Sequence, residues 1–195
     1  MEETIVFIDA GFLSKLSKHF GNGEYIKHNI VGLVNNLAKK QNLVCETIFY
    51  YTASPFQSSP ATEQEKKMKE GYDRFIISLS SYKRTVVRQG RCQKIRNKQG
   101  VFEYNQKGVD TLLTMDLMST PTKYPNVKTV ILIACDSDFV PVIINLNGMG
   151  VKTILCTYFD RKRNSNFSSS NELIKTVSKF VIITKDDFVN SLKKV

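Results

Sequence analysis

Hydrophobic and polar positions alternate along the chain between two periods. Short apolar runs occupy residues 4–8 (TIVFI), 43–51 and 130–135, with further runs beginning at 85–87 and covering 151–159 and 180–184. Each has the length and β-branched or aromatic content of a strand. Between them apolar residues recur at helical spacing: Ile26, Ile30, Leu33, Val34 and Leu37; Met68, Tyr72, Phe75, Ile76 and Leu79; Val109, Leu112, Leu113 and Leu117; Phe139, Val142, Ile143 and Leu146. A short helix around 172–177 and a closing helix from Asp186 complete the series. Strand and helix alternate almost throughout, which predicts an α/β fold with a mainly parallel sheet and helices on both faces.

Punctuation between the elements is equally regular. Asn22-Gly23 marks a turn, 52–62 is a crossing rich in Ser and Pro, and 97–100 has the composition of a hairpin turn. With 195 residues and no internal repeat, the simplest organisation is one domain over 1–195, carrying a β-hairpin insertion at about 84–106.

The chemistry concentrates where the longest buried run ends. In TVILIACDSDFVPVIINLNGMGV, residues 129–151, the apolar strand gives way at once to Asp136, Ser137 and Asp138, and a helical period follows with Pro141 in its first turn. Either acid alone is an ordinary helix N-cap. Two are not needed for one helix end, and an Asp-x-Asp pair offers hard oxygen ligands to Mg²⁺ or Mn²⁺. Asp9 ends the first strand in the same way, and Asp110 opens the helix that leads into the central strand. Open α/β sheets place their sites outside the carboxyl ends of strands, where the strand order reverses. If the first and central strands are neighbours, Asp9, Asp110, Asp136 and Asp138 share that crevice. Asp116 lies roughly 240° further around its helix than Asp110 at ~100° per residue, so the two need not face one cavity.

Charge narrows the class of partner. There are 28 Lys and Arg against 18 Asp and Glu, a net +10 that favours polyanions. Lys83, Arg84, Arg88, Arg91, Lys94, Arg96, Lys98 and Lys107 face a single acid, Glu103, over 83–107, with Phe102 and Tyr104 interleaved. Cations for phosphates and rings for bases are what a single strand of nucleic acid needs. Arg161, Lys162 and Arg163 form a second basic group. The Gly-rich phosphate loops GxGxxG and GxxxxGK[ST] are absent, which argues against a dinucleotide or nucleoside triphosphate site. His19 and His28 lie outside the acidic segments, and no His-based nucleophile or zinc site is visible. Cys45, Cys92, Cys135 and Cys156 are too scattered for a CxxC site and suit a reducing, cytoplasmic compartment. The acidic start and the lack of a long apolar run argue against a signal peptide and a membrane partner.

Three blocks carry a family resemblance: FIDAGFL at 7–13, KGVDTLLTMDL at 107–117 and ACDSDFVPVIINLNGMGVKTIL at 134–155. In this order they resemble the NYN family, specifically its LabA-like branch within the PIN-like nuclease superfamily. The resemblance implies a PIN-like three-layer α/β/α fold and an Mg²⁺- or Mn²⁺-dependent ribonuclease. It implies Asp9, Asp110, Asp136 and Asp138 as the catalytic, metal-holding acids, with Asp116 a weaker candidate. Arg88, Arg91, Lys94, Arg96, Lys98, Lys107, Arg161, Lys162 and Arg163 would then track RNA, or single-stranded DNA. A homodimer is compatible with the family. One departure stands out, because the family's first block commonly has Asn where this chain has Phe12. The competing reading is a nucleic-acid-binding or regulatory module on the same fold, without chemistry.

Overall fold

The computed structural model describes residues 1–160, 167 and 170–192. Seven strands form one sheet: β1 (Glu2–Asp9), β2 (Leu43–Ala53), β3 (Thr85–Arg96), β4 (Phe102–Lys107), β5 (Thr129–Ile133), β6 (Lys152–Thr157) and β7 (Lys179–Ile182). The order is β4-β3-β2-β1-β5-β6-β7, parallel throughout except for the antiparallel β3–β4 pair. The chain builds outward from β1 in one direction, then returns to the other side of β1 with β5. The order therefore reverses between β1 and β5.

Period-two alternation fills both faces. Val6 and Ile8 of β1, with Ile131 and Ile133 of β5, pack under α1 (Ala10–Phe20), α2 (Ile30–Lys40) and Phe188 of α7 (Lys185–Asn190). Ile5 and Phe7, with Val130 and Leu132, face α4 (Val109–Lys123), α5 (Val140–Gly148) and Leu173 of α6 (Asn171–Thr176). The two central strands are thus buried on both sides, as parallel strands require. Helix α3 (Glu63–Ser80) lies apart from this scheme, since Leu79 is its one fully buried residue among those described.

The predicted three-layer α/β architecture is present, and the structure adds one helix to it. Residues 10–20, to which the sequence pattern assigns no element, form α1. Asp9 itself caps that helix, and Phe12, Leu13 and Leu16 bury its inner face. The central strand is shorter than its apolar run, ending at Ile133, and a single 3-10 turn over Ser137–Phe139 precedes α5. At the predicted hairpin turn, Asn97 Oδ1 accepts from the amides of Gln99 and Val101, and Gly100 has φ +82°.

Strand β3 serves two partners in succession. Gly90 is its last residue paired with β2, and Arg91 its first paired with β4. At that junction the backbone of the β4–α4 connection crosses close overhead. A Cβ on Gly90 would stand 2.4 Å from the Lys107 carbonyl oxygen and 3.0 Å from the Val109 nitrogen. Neither backbone atom can step aside without moving the start of α4. Gly90→Ala is therefore expected to lose about 1–3 kcal/mol of stability, with a Tm lowered by several degrees in calorimetry; a wild-type Tm would refute the crowding.

Candidate functional site

Four carboxylates lie toward the carboxyl edge of β1 and β5, near enough for their charges to be felt in sequence from Asp9 to Asp110 and from Asp110 to Asp136 and Asp138. Asp9, half-buried, ends β1 and accepts hydrogen bonds through Oδ1 from the amides of Gly11 (2.8 Å) and Phe12 (3.2 Å). Burial pushes its carboxyl up, the amide bonds pull it back, and the charge of Asp110 adds to the rise, which is the net result. Asp110 sits in the first turn of α4, where a carboxylate complements the helix dipole. It too is raised, by burial first and then by the charges of Asp136 and Asp138. Asp136 follows β5 and accepts from the amide of Asp138 at 3.0 Å, so it does cap the 3-10 turn. Asp138, exposed on that turn, has a carboxylate with no hydrogen-bond partner among the described residues.

Repulsion thus links Asp9 to Asp110 and Asp110 to both acids of the Asp-x-Asp pair. Among the described residues, no three His, Cys, Asp or Glu side chains already stand together as a closed ligand set. The donor set nonetheless fits a hard divalent cation in kind. It consists of four aspartates, and the caps at Asp9 and Asp136 each engage only Oδ1, leaving the other oxygen free.

Asp116 does not join this group. It is 6% exposed, and Arg88 grips it with two bonds of 2.9 Å, Nη2 to Oδ1 and Nε to Oδ2, while the Tyr51 hydroxyl donates to Oδ2 at 3.0 Å. Burial alone would raise this carboxyl, but the bonds from Arg88 and Tyr51 outweigh it and hold the group below its usual range. Within the fold, Asp116 is thus held by Arg88 and Tyr51, and the Nε and Nη2 of Arg88 are both engaged on it.

The remaining cations divide by partner. Lys94 is surrounded by rings, 4.3 Å from the centroid of Phe102, 5.7 Å from Phe56 and 5.8 Å from Tyr104. Arg96 lies over Phe102 and donates to the Gly100 carbonyl at 3.1 Å. Arg91, Lys98 and Lys107 are exposed. Arg161, Lys162 and Arg163 lie outside the described residues. Sequence reasoning missed Lys15, an exposed residue of α1 whose charge lowers the Asp9 carboxyl. Its spacing from Asp9 becomes informative only once residues 10–20 are recognised as a helix. The four cysteines are unpaired, and burial followed by the charges of Asp9 and Asp136 pushes the Cys135 thiol up to about 11.

Two outcomes follow from these charges. Arg88→Ala strands a buried carboxylate and is expected to destabilise the protein by about 2–3 kcal/mol at pH 7, below the full 3–5 for an enclosed pair because Arg88 is partly exposed. Asp116 is depressed in the fold, so this contribution is present above the unfolded value near 3.8 and fades as pH falls through the lower folded value. An unchanged urea midpoint for Arg88→Ala would refute the pairing. Asp9 and Asp110 behave oppositely: raised in the fold, they make stability decline as pH climbs from about their ordinary 3.8 through the folded values. Asp136→Asn keeps a capping side chain and removes one repelling charge. Its Tm at pH 7 is expected to exceed wild type by roughly 1–3 °C, with the gap closing toward acid pH. A gap independent of pH in calorimetry would show that repulsion is not its source.

Comparison with known proteins bears on the fold and the family. The NYN domain family model matches residues 3–184. No curated protein matches. Among solved structures, a protein of unknown function, VPA0982 from Vibrio parahaemolyticus, is similar with a TM-score of 0.59 at 16% identity, over 96% of this chain and 95% of that one. That likeness concerns the fold alone. Among the described residues no helix is long and apolar enough to cross a membrane. With the family model covering nearly all of a parallel α/β sheet whose aspartates gather at the β1–β5 edge, the chain belongs to the NYN domain family, within the PIN-like nuclease superfamily.

Proposed function

We propose that this protein is an Mg²⁺- or Mn²⁺-dependent ribonuclease of the LabA-like branch, hydrolysing phosphodiester bonds of single-stranded RNA in the cytoplasm. The observation that carries the reading is the NYN family match over residues 3–184 together with the parallel pairing of β1 and β5, which ends both strands at the edge where Asp9, Asp136 and Asp138 lie, on a chain of net charge +10. An acidic centre repels nucleic acid unless cations reverse its local potential, and this chain supplies cations around the acids. Asp9, Asp110, Asp136 and Asp138 would hold the metal, which when bound lowers the pKa of water and offsets charge on the attacked phosphate.

The other roles belong to the chain itself. Lys15 stands beside Asp9 and Lys107 ends the strand that leads to Asp110, so each is placed to hold a phosphate next to the acids. Arg91, Lys94, Arg96 and Lys98 extend that cationic track along the hairpin, and the exposed rings of Phe102 and Tyr104 offer faces on which bases stack. Asp9 and Asp110, with raised carboxyls, retain a proton more readily than free aspartate.

Phe12 favours the alternative of an inactive RNA-binding module. It is 2% exposed and packs edge-on against Phe167 at 6.4 Å, so an apolar ring fills the position where the resemblance has an amide.

Incubation of wild-type protein with single-stranded RNA and Mg²⁺ or Mn²⁺ is expected to give cleavage that EDTA abolishes and that Asp136→Asn reduces by ~100-fold or more, since losing a ligand costs at least the ~10–100-fold seen when a partner outside the ligand shell is lost. Cleavage surviving in Asp136→Asn refutes the assignment of the site. RNA binding without metal-dependent turnover in wild type supports the inactive module instead.

A further inference from the structure

A groove of about 860 Å³ is lined at one end by the residues that follow Asp9. One end is formed by Ala10 and Gly11, the two residues after Asp9, and by Gln106 of β4. The Gln106 Oε1 would be 3.8 Å from a Cβ built on Gly11, so the groove and the Asp9 cap share a wall. From there it runs between α1, the connection over 21–29 and α3. Its volume falls within the ~300–1,000 Å³ typical of ligand pockets.

The lining combines rings and cations. Tyr72 and Phe75 of α3, Tyr50 of β2 and Tyr25 from the connection between α1 and α2 all line it. These rings are held in place: Phe75 leans edge-on against Tyr50 at 5.7 Å, and the Tyr72 hydroxyl donates to Gln89 Oε1 at 3.0 Å. Phe75 and Tyr25 keep surface open to solvent, being 40% and 63% exposed. Lys15 and Lys27 line the groove, Lys18 lies over the Tyr25 ring at 4.7 Å, and no carboxylate is part of the described lining. Ring faces with ammonium groups at their margin match a ligand that is flat and anionic at once.

We infer that this groove seats an unpaired nucleotide of the strand being cut, its base against the rings of Tyr25, Tyr72 and Phe75 and its phosphate toward Lys15 and the acids. The inference rests on the proposed nuclease reading for the direction of the strand, though not for the groove itself. A base can enter such a groove only if it is neither paired nor stacked within a duplex. The groove therefore gives the protein its preference for single strands, and it does so from the side of β1 where α1 and α3 lie, in addition to the basic hairpin. Charge complementarity selects this occupant over an apolar peptide, for which Lys15 and Lys27 would have no partner.

Binding of fluorescein-labelled oligouridine, measured by anisotropy in EDTA so that no cleavage occurs, tests the groove. Tyr25→Ala and Tyr72→Ala are each expected to weaken binding about 5- to 100-fold, the range for loss of one base-stacking ring. Tyr72→Phe, which keeps the ring and loses the bond to Gln89, should stay near wild type. A blunt RNA duplex should bind more weakly than oligouridine and be insensitive to both alanine variants. Folded alanine variants that bind oligouridine as wild type does would overturn the inference, as would equal losses for duplex and single strand, or no measurable binding by wild type in EDTA. The two readings fail separately. Cleavage lost in Asp136→Asn with unaffected groove variants removes the groove alone, whereas groove-dependent binding without cleavage under any divalent cation removes the nuclease alone.

Discussion

Parallel pairing of β1 with β5 is the constraint from which the rest follows. In register Ile8 stands opposite Ile133, so both strands end at one edge and both chains emerge there as acids, Asp9 from one and Asp136 with Asp138 from the other. Like charges brought to one edge repel, Asp110 raising the Asp9 carboxyl and being raised in turn by Asp136 and Asp138, and such an edge needs an opposing term. That term is burial. Ile5 to Ile8 and Val130 to Ala134 are completely shielded, each such large side chain contributing about 1.5–3 kcal/mol before chain entropy is counted. The two strands can therefore hold an electrostatically unfavourable edge in place, which is the expected relation between a rigid scaffold and a strained site.

The same residue type meets opposite fates six positions apart on α4. Asp116 is enclosed and fully neutralised by a bidentate guanidinium and a phenol, so its charge fastens β2, β3 and α4 together. Asp110 is exposed, faces three other carboxylates directly or in relay, and has no cation paired with it among the described residues. Geometry rather than composition separates the two. A helix turns them to different sides, and only one side holds Arg88.

Much of this was legible in the linear pattern, and what was not has a common cause. Buried strands announce themselves as apolar runs, and the placing of β1 beside β5, on which a shared crevice for Asp9 and Asp136 is conditional, is present in the sheet. The angular offset of Asp116 hinted that it stands apart, but its partner Arg88 lies 28 residues away on another element and leaves no local trace. Helix α1 escaped because Asp9-Ala-Gly resembles a turn, although Phe12, Leu13 and Leu16 carry a helical spacing behind it. With that helix unseen, Lys15 had no reason to be near Asp9. The ring-lined groove needs α1, β2 and α3 brought together, and such assemblies exist only in three dimensions.

The basic hairpin and the acidic edge are also mechanically one unit. Strand β3 leaves the sheet at Gly90, β4 returns along it to Lys107, and Gly108, with φ +80°, turns the chain directly into α4 and Asp110. Only two residues separate the last cation of the hairpin from the acid. The Lys107 carbonyl and the Val109 amide rest against Gly90, so the position of α4 is set by the same crossing that sets the angle of the hairpin. A polyanion bound along the hairpin, as proposed, would therefore lie within a few residues of Asp110.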